Sequence, residues 1–241
     1  MSLSFEALLI VGIFFFYIYD SVILVSSNQL FFIKSLGRWS VSFPSDRWRI
    51  MGKMLHIPNP ATPYNLLFIA SLDEPSGTSR IKSKEMTSLM ANVNYIQIFV
   101  MLLMLLMLIV FPLVTYNHGL GSTALIILML IYLTIIVMIC YLYIKKEFYG
   151  LSNTNFTALA FESIACPPFA LNILRKLSLK CPFQQDPIKF AVKNLDVASF
   201  KTFKEQLAES LAEQLEWEVE ECSPRSLYLG KYRKKLMRAK Q

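Results

Sequence analysis

Between Glu85 and Lys145 the chain runs for 59 residues, 86–144, without one Asp, Glu, Lys or Arg. A helix rises about 1.5 Å per residue, so crossing a hydrocarbon layer about 30 Å thick takes about 20 residues. The uncharged block therefore has room for two crossings. They are predicted at 95–115, YIQIFVMLLMLLMLIVFPLVT, and 123–144, TALIILMLIYLTIIVMICYLYI. Between them, YNHGLGS carries Asn117, Gly119 and Gly121, the turn chemistry that reverses a chain. The block reads as a transmembrane helical hairpin over 95–144.

A third apolar segment, FEALLIVGIFFFYIYDSVILV at residues 5–25, is predicted as a further crossing, so that 1–25 forms transmembrane helix 1 with its N-terminus outside. It has no basic residue before Lys34 and no small-residue cleavage pattern, which reads as a retained anchor rather than a signal peptide. Asp20 lies within it. A carboxylate in hydrocarbon needs a partner, a proton or an exit to water. Neither of the other crossings offers a basic residue, and at matching depth the polar candidates are Gln97, Cys140 and Tyr141. Asp20 is therefore marked as an intramembrane polar site, read as a partly solvated contact near the cytoplasmic side.

The composition agrees with a membrane protein: 54% hydrophobic residues, 18 Phe and a mean hydropathy of +0.44. All 24 Lys and Arg fall in two segments, eight in 26–94 and sixteen in 145–241. By the excess of basic residues on cytoplasmic loops, the predicted topology is N-terminus outside and C-terminus cytoplasmic, most simply in a bacterial inner (plasma) membrane. Cys140, Cys166, Cys181 and Cys222 then lie in the third crossing or in reducing cytoplasm, where disulfides are not expected.

The loop 26–94 shows short apolar or alternating runs separated by Pro44, Gly52 and the prolines at 58, 60 and 63. These signals predict a small antiparallel sheet of three or four strands. Arg47, Trp48, Arg49 and Lys53 form a basic and aromatic cluster suited to a headgroup or phosphate contact. Residues 145–222 read as an α-helical cytoplasmic domain. In it, DPIKFAVKNL offers Asp186 as N-cap with Pro187 at the first helical position, and Asn or Thr caps precede FTALAFESIA. The longest helix starts near Asp196. Its stripe of Phe200, Phe203, Leu207, Leu211 and Leu215 recurs every three or four residues, as the core of this domain or as a partner-binding face. The remainder, 223–241, is a basic tail in which Lys231, Arg233, Lys234, Lys235 and Arg238 are expected to face anionic lipid.

The fold class is accordingly a mainly α membrane protein with three transmembrane helices, a small antiparallel β-rich cytoplasmic insertion between helices 1 and 2, and an α-helical cytoplasmic C-terminal domain. No catalytic set emerges from two histidines, His56 and His118, and there is no phosphate-binding glycine loop. Cysteine spacings of 15 and 41 residues do not supply a zinc site, so no metal or cofactor is expected. The expected function is a non-enzymatic membrane accessory, scaffold or assembly protein. Its expected partners are anionic lipid headgroups, a protein of a membrane complex and a second copy of itself; nucleic acid is not among them. Two alternatives belong to other classes. One is a cytoplasmic-face enzyme acting on a lipid or phosphorylated substrate, using Arg47, Arg49 or Lys53 with Asp46, and gathering Asp73 or Glu74 into one pocket. The other is a small oligomeric transporter or channel subunit built around Asp20.

Overall fold

Helix α1 (Phe5–Ser21) opens where Ser4 accepts a hydrogen bond from the Ala7 N–H at 3.3 Å, a side-chain N-cap. The structure, a computed structural model, describes residues 4–44, 49–50, 53–72, 90, 92–181, 183, 185–219, 230 and 232–237. The chain divides into two units. The first comprises Met1–Leu24, Leu55–Leu66 and Lys84–Cys181, and the second Val25–Met54, Leu67–Ser83 and Pro182–Gln241.

In the first unit, α2 (Asn94–His118) and α3 (Ser122–Ile144) are the two helices long and apolar enough to cross a membrane. Their sequences are apolar on every side, so only packing distinguishes the faces. Ile96, Val100, Leu103, Met107, Phe111 and Thr115 of α2 are buried, as are Ala124, Ile127, Ile131, Ile135, Met138 and Leu142 of α3. Steps of three and four residues make each set one stripe of a helix. Within α2, Leu105–Val110 is wound as a π-helix immediately before Pro112. Proline lacks an N–H and crowds the carbonyl four residues back, and a wider turn relieves both. Gly119 ends α2 at φ 67, donating its N–H to the Thr115 carbonyl at 3.0 Å, and α3 begins three residues later. The hairpin and its glycine turn lie where the sequence predicts them.

The predicted third crossing is corrected. Val22 is extended (φ −67, ψ 130), and the β-branched run after it enters strand β1 (Ile23–Val25) instead of prolonging α1. Seventeen residues rise only about 25 Å, short of the hydrocarbon thickness. Two helices, not three, meet the length and apolarity that a crossing needs among the described residues.

After α3, a turn closes with Gly150 at φ 61, and the first unit continues through α4 (Asn153–Ala165), α5 (Pro167–Ala170) and α6 (Ile173–Leu179). The cap of α4 is Ser152, which accepts from the Asn155 N–H at 3.2 Å, one residue ahead of the predicted Asn or Thr. Residues 145–181 thus belong with the apolar helices, while the sequence pattern groups them with the helices of 182–222.

The second unit holds strands β2 (Gln29–Ser35), β3 (Arg38–Ser42), β4 (Arg49–Ile50), most of β6 (Leu66–Ser71), and helices α7 (Pro187–Asn194) and α8 (Val197–Val219). Strand β5 (Lys53–His56) begins in it, antiparallel to β4 with Arg49 opposite Met54. β2 and β3 pair antiparallel from Phe31↔Ser42 to Ser35↔Arg38, and the sheet order is β3-β2-β6. Their two-residue turn has Leu36 at φ 42 and Gly37 at φ 87, the pair of positive values that matches the strand twist in a tight hairpin. The small antiparallel sheet is thus present.

Its core is aromatic. Phe32 lies 4.9 Å from Phe183, 4.8 Å from Phe190 and 6.2 Å from Phe203, and Trp39 meets Phe190 edge-on at 4.9 Å. Asp186 caps α7 as predicted, accepting from the Ile188 N–H at 3.0 Å, and Asp196 accepts from the Ser199 N–H at 3.1 Å at the head of α8. Phe200, Phe203, Leu207 and Leu211 are buried, with Leu215 half-buried. The stripe is therefore core rather than an exposed partner face. Residues 232–237 are also helical, with Tyr232 and Leu236 buried and Lys235 paired to Asp186. This part of the predicted lipid-facing tail is folded into the unit, which leaves Arg233 and Lys234 exposed. Lys231 and Arg238 lie outside the described residues.

Candidate functional site

Asp20 finds its partner inside the chain. In the last turn of α1, Tyr17, Asp20 and Ser21 stand at i, i+3 and i+4, which puts them on one face. Asn172, Arg175 and Lys176 have the same spacing at the start of α6. The two faces meet. Lys176 Nζ lies 2.7 Å from Asp20 Oδ1 and 2.8 Å from Glu162 Oε2, so one ammonium bridges two carboxylates. Asn172 donates from Nδ2 to Asp20 Oδ2 and to the Tyr17 carbonyl, both at 3.1 Å.

Arg175 is the centre of the cluster, with only 2% of its surface exposed. Its Nη1 donates to Asn172 Oδ1 at 2.9 Å and to Ser21 Oγ at 3.1 Å. Its Nη2 donates to the carbonyls of Asn59 at 2.6 Å and Thr62 at 3.1 Å. Those carbonyls are presented by a turn rich in proline, in which the Asn59 side chain accepts from the Ala61 N–H at 2.9 Å and Thr62 donates its N–H to the Asn59 carbonyl at 3.2 Å. Tyr17 donates its hydroxyl to the Pro60 carbonyl at 2.6 Å, and its ring centroid lies 6.0 Å from the guanidinium. A guanidinium beside the last turn of α1 also meets the partial negative charge of that helix end.

The electrostatics follow from burial. Desolvation pulls Arg175 below its ordinary value, with Tyr17 and Asp20 opposing that shift. His56 is pushed down to about 4, first by burial and then by the Arg175 charge. It is neutral near pH 7. Two carboxylates, Asp20 and Glu162, balance two cations, Arg175 and Lys176, so the cluster has no net charge. Apart from Arg175 Nε, its buried donors and acceptors are engaged with one another or with backbone, an arrangement that clamps α1, the 59–62 turn and α6 together rather than presenting a reactive group.

The other predicted positions are dispersed. Gln97 donates to the Tyr64 carbonyl at 3.2 Å, Tyr141 lies 5.8 Å from Tyr95 ring to ring, and Cys140 is exposed. None of the three is the partner of Asp20. Lys53 is exposed on β5, and Arg49 is in β4. Arg47 and Trp48, and with them Asp46, Asp73 and Glu74, lie outside the described residues. Cys140, Cys166 and Cys181 form no disulfide, and no group of three His, Cys, Asp or Glu that could hold a metal occurs among the described residues. An apolar groove of about 360 Å³ lies in the same unit, lined by Leu9 and Ile13 of α1, Met107 and Phe111 of α2, Ile131 and Tyr132 of α3, and Pro167 and Pro168.

Sequence reasoning singled out Asp20 but missed Asn172, Arg175 and Lys176. The available signal was the repeated i, i+3, i+4 polar triplet on two helices that are otherwise mostly apolar. No family model matches the chain, and the comparisons with curated proteins and with solved structures found no match.

Proposed function

We propose that this chain is an integral membrane accessory protein: its first unit is held in a bilayer by the α2–α3 hairpin, and its second is a small folded module at the cytoplasmic face. The observation that carries this reading is the outward surface of the hairpin. Only 28% of the most apolar window of each helix is buried. What remains outside includes Leu105, Ile109 and Leu113 on α2 and Leu125, Met129, Leu133 and Ile136 on α3. Helices apolar all round need an apolar surrounding, and lipid supplies it without a further protein core.

The orientation follows from charge. The turn at 116–122 carries no basic residue, whereas Lys145 and Lys146 come directly after α3 and Arg80, Lys82 and Lys84 precede α2. The turn then faces outside and both free ends of the hairpin face the cytoplasm of a bacterial cell. An accessory role fits a polar cluster that is closed on itself and charge-neutral, because catalysis or ion passage would require open polar groups. Asp20 is bound to Lys176 and Asn172 within this cluster.

The test is crosslinking in native membranes followed by purification of the full chain in mild detergent. A partner recovered in fixed stoichiometry supports the accessory reading. Recovery of the chain alone, or only with copies of itself, contradicts it.

A further inference from the structure

After α3 the chain does not move away from the hairpin. Phe156 of α4 packs on Tyr143 of α3 with ring centroids 5.4 Å apart, and Pro167, eleven residues later, lines the same groove as Tyr132, eleven residues earlier in α3. From Tyr143 back to Tyr132 α3 rises about 16 Å, and from Phe156 to its end at Ala165 α4 rises about 14 Å. α4 therefore runs antiparallel beside the second half of α3, and its far end reaches the level of the middle of that helix.

The chemistry of this segment suits the surroundings of α3. From Phe148 to Leu174 the only charged residue is Glu162, and its carboxylate is bound to Lys176. In the second half of α4 the outward face presents Phe161, 74% exposed, and Ile164, 47% exposed, while the exposed polar residues Asn153, Thr154, Asn155 and Thr157 fall in its first half, towards Lys146. Two of its hydroxyls are satisfied within the helix: Thr157 donates to the Asn153 carbonyl at 2.7 Å and Ser163 to the Leu159 carbonyl at 2.8 Å. At the break, Pro167 and Pro168 have no N–H to satisfy, while Cys166 donates to the Glu162 carbonyl, Phe169 to the Cys166 carbonyl and Asn172 to the Phe169 carbonyl. Irregular backbone at membrane depth is tolerated where its polar groups are paired internally or buried in protein. The return path runs through the cluster of Asp20, Glu162, Arg175 and Lys176, in which Lys176 holds both carboxylates and Arg175 is hydrogen-bonded to Asn172, Ser21 and two backbone carbonyls.

We infer that residues 153–170 form a re-entrant segment: α4 descends from the cytoplasmic side into the hydrocarbon beside α3, turns at Pro167–Pro168 and returns through α6, with Phe161 and Ile164 touching lipid acyl chains. This rests on the membrane reading of α2 and α3. Acyl chains are the occupant because Phe161 and Ile164 stand on a helix packed beside α3, whose own exposed residues are apolar, and neither position offers a charge to a protein partner.

The experiment is spin labelling of single-cysteine variants, Phe161→Cys and Ile164→Cys, in a full chain lacking its native cysteines and reconstituted in phosphatidylcholine–phosphatidylglycerol vesicles. Met129→Cys on α3 serves as the lipid reference and Lys201→Cys on α8 as the aqueous one. Collision with oxygen relative to a water-soluble nickel chelate is expected to match Met129 at both test positions and to exceed Lys201 several-fold. If both test positions behave like Lys201 while Met129 remains in lipid, the re-entrant segment is overturned and the membrane reading stands. If Met129 is itself reached by the chelate, both fall together.

Discussion

Lys176 has two carboxylates to lose. Replacing it as Lys176→Met takes from Asp20 and Glu162 the ammonium that bridges them and leaves Arg175 as the cluster's one cation, whereas Asp20→Asn still leaves Lys176 its Glu162 partner. Stranding buried or half-buried charge costs about 3–5 kcal/mol when one side of a pair is removed. Lys176→Met is therefore expected to destabilise by about 3 kcal/mol and Asp20→Asn by about 1–2 kcal/mol. Thermal unfolding in detergent reads the order, and equal losses would contradict the bridging role. Arg175→Met should cost at least as much as Lys176→Met, because it leaves the Asn59 and Thr62 carbonyls without their donor.

His56 gives the same unit a pH dependence. Its folded value, about 4, lies below the ordinary histidine value near 6.5, so the unfolded chain binds the extra proton first as pH falls. Stability is full above about pH 6.5, declines as pH drops towards 4 and levels off below it. The shift corresponds to about 3 kcal/mol, which partial exposure of the ring trims to about 1–2 kcal/mol. A His56→Gln chain, measured beside the parent across this range, should lose that part of the slope; an unchanged slope would rule His56 out as its source.

Among the elements, α8 was the most legible and the most ambiguous. Its stripe is written at helical spacing, yet spacing is identical for a core face and for a docking face. Phe32 of β2 and Phe43 just after β3, each 6.2 Å from Phe203 ring to ring, decide that it is core. Phe203→Ala should therefore cost about 3–5 kcal/mol, the range for truncating a buried aromatic, and appear as loss of cooperative unfolding. An exposed docking face would give a change near zero. The α2–α3 turn was legible because Gly119 is needed for its left-handed backbone. Nothing lies within 4 Å of a Cβ added there, so Gly119→Ala should cost only the conformational strain of a backbone (φ 67, ψ −170) essentially reserved for glycine, about 1–3 kcal/mol. The end of α1 was not legible from apolarity, since VILV continues the hydrophobic run; only its β-branched character announces a strand.

For the whole molecule, composition and charge spacing were enough to find the hairpin, because length against bilayer thickness is a local property of the sequence. The clamp was not readable in this way. Asp20 and Lys176 are 156 positions apart, and neither periodicity nor composition records which polar triplet meets which. The division of the chain was hidden for the same reason, because residues 145–181 resemble other short helices until their packing beside α3 is seen.

In the proposed topology α2 and α3 cross a bilayer with their turn outside. It is tested most directly by cysteines placed singly at His118 and Lys146, in a full chain without native cysteines, and labelled with an impermeant maleimide in right-side-out and inverted vesicles. The account predicts that position 118 reacts only from outside and position 146 only from inside. Reaction of both positions from the same face, or release of the unlabelled protein from membranes by alkaline carbonate, would contradict it.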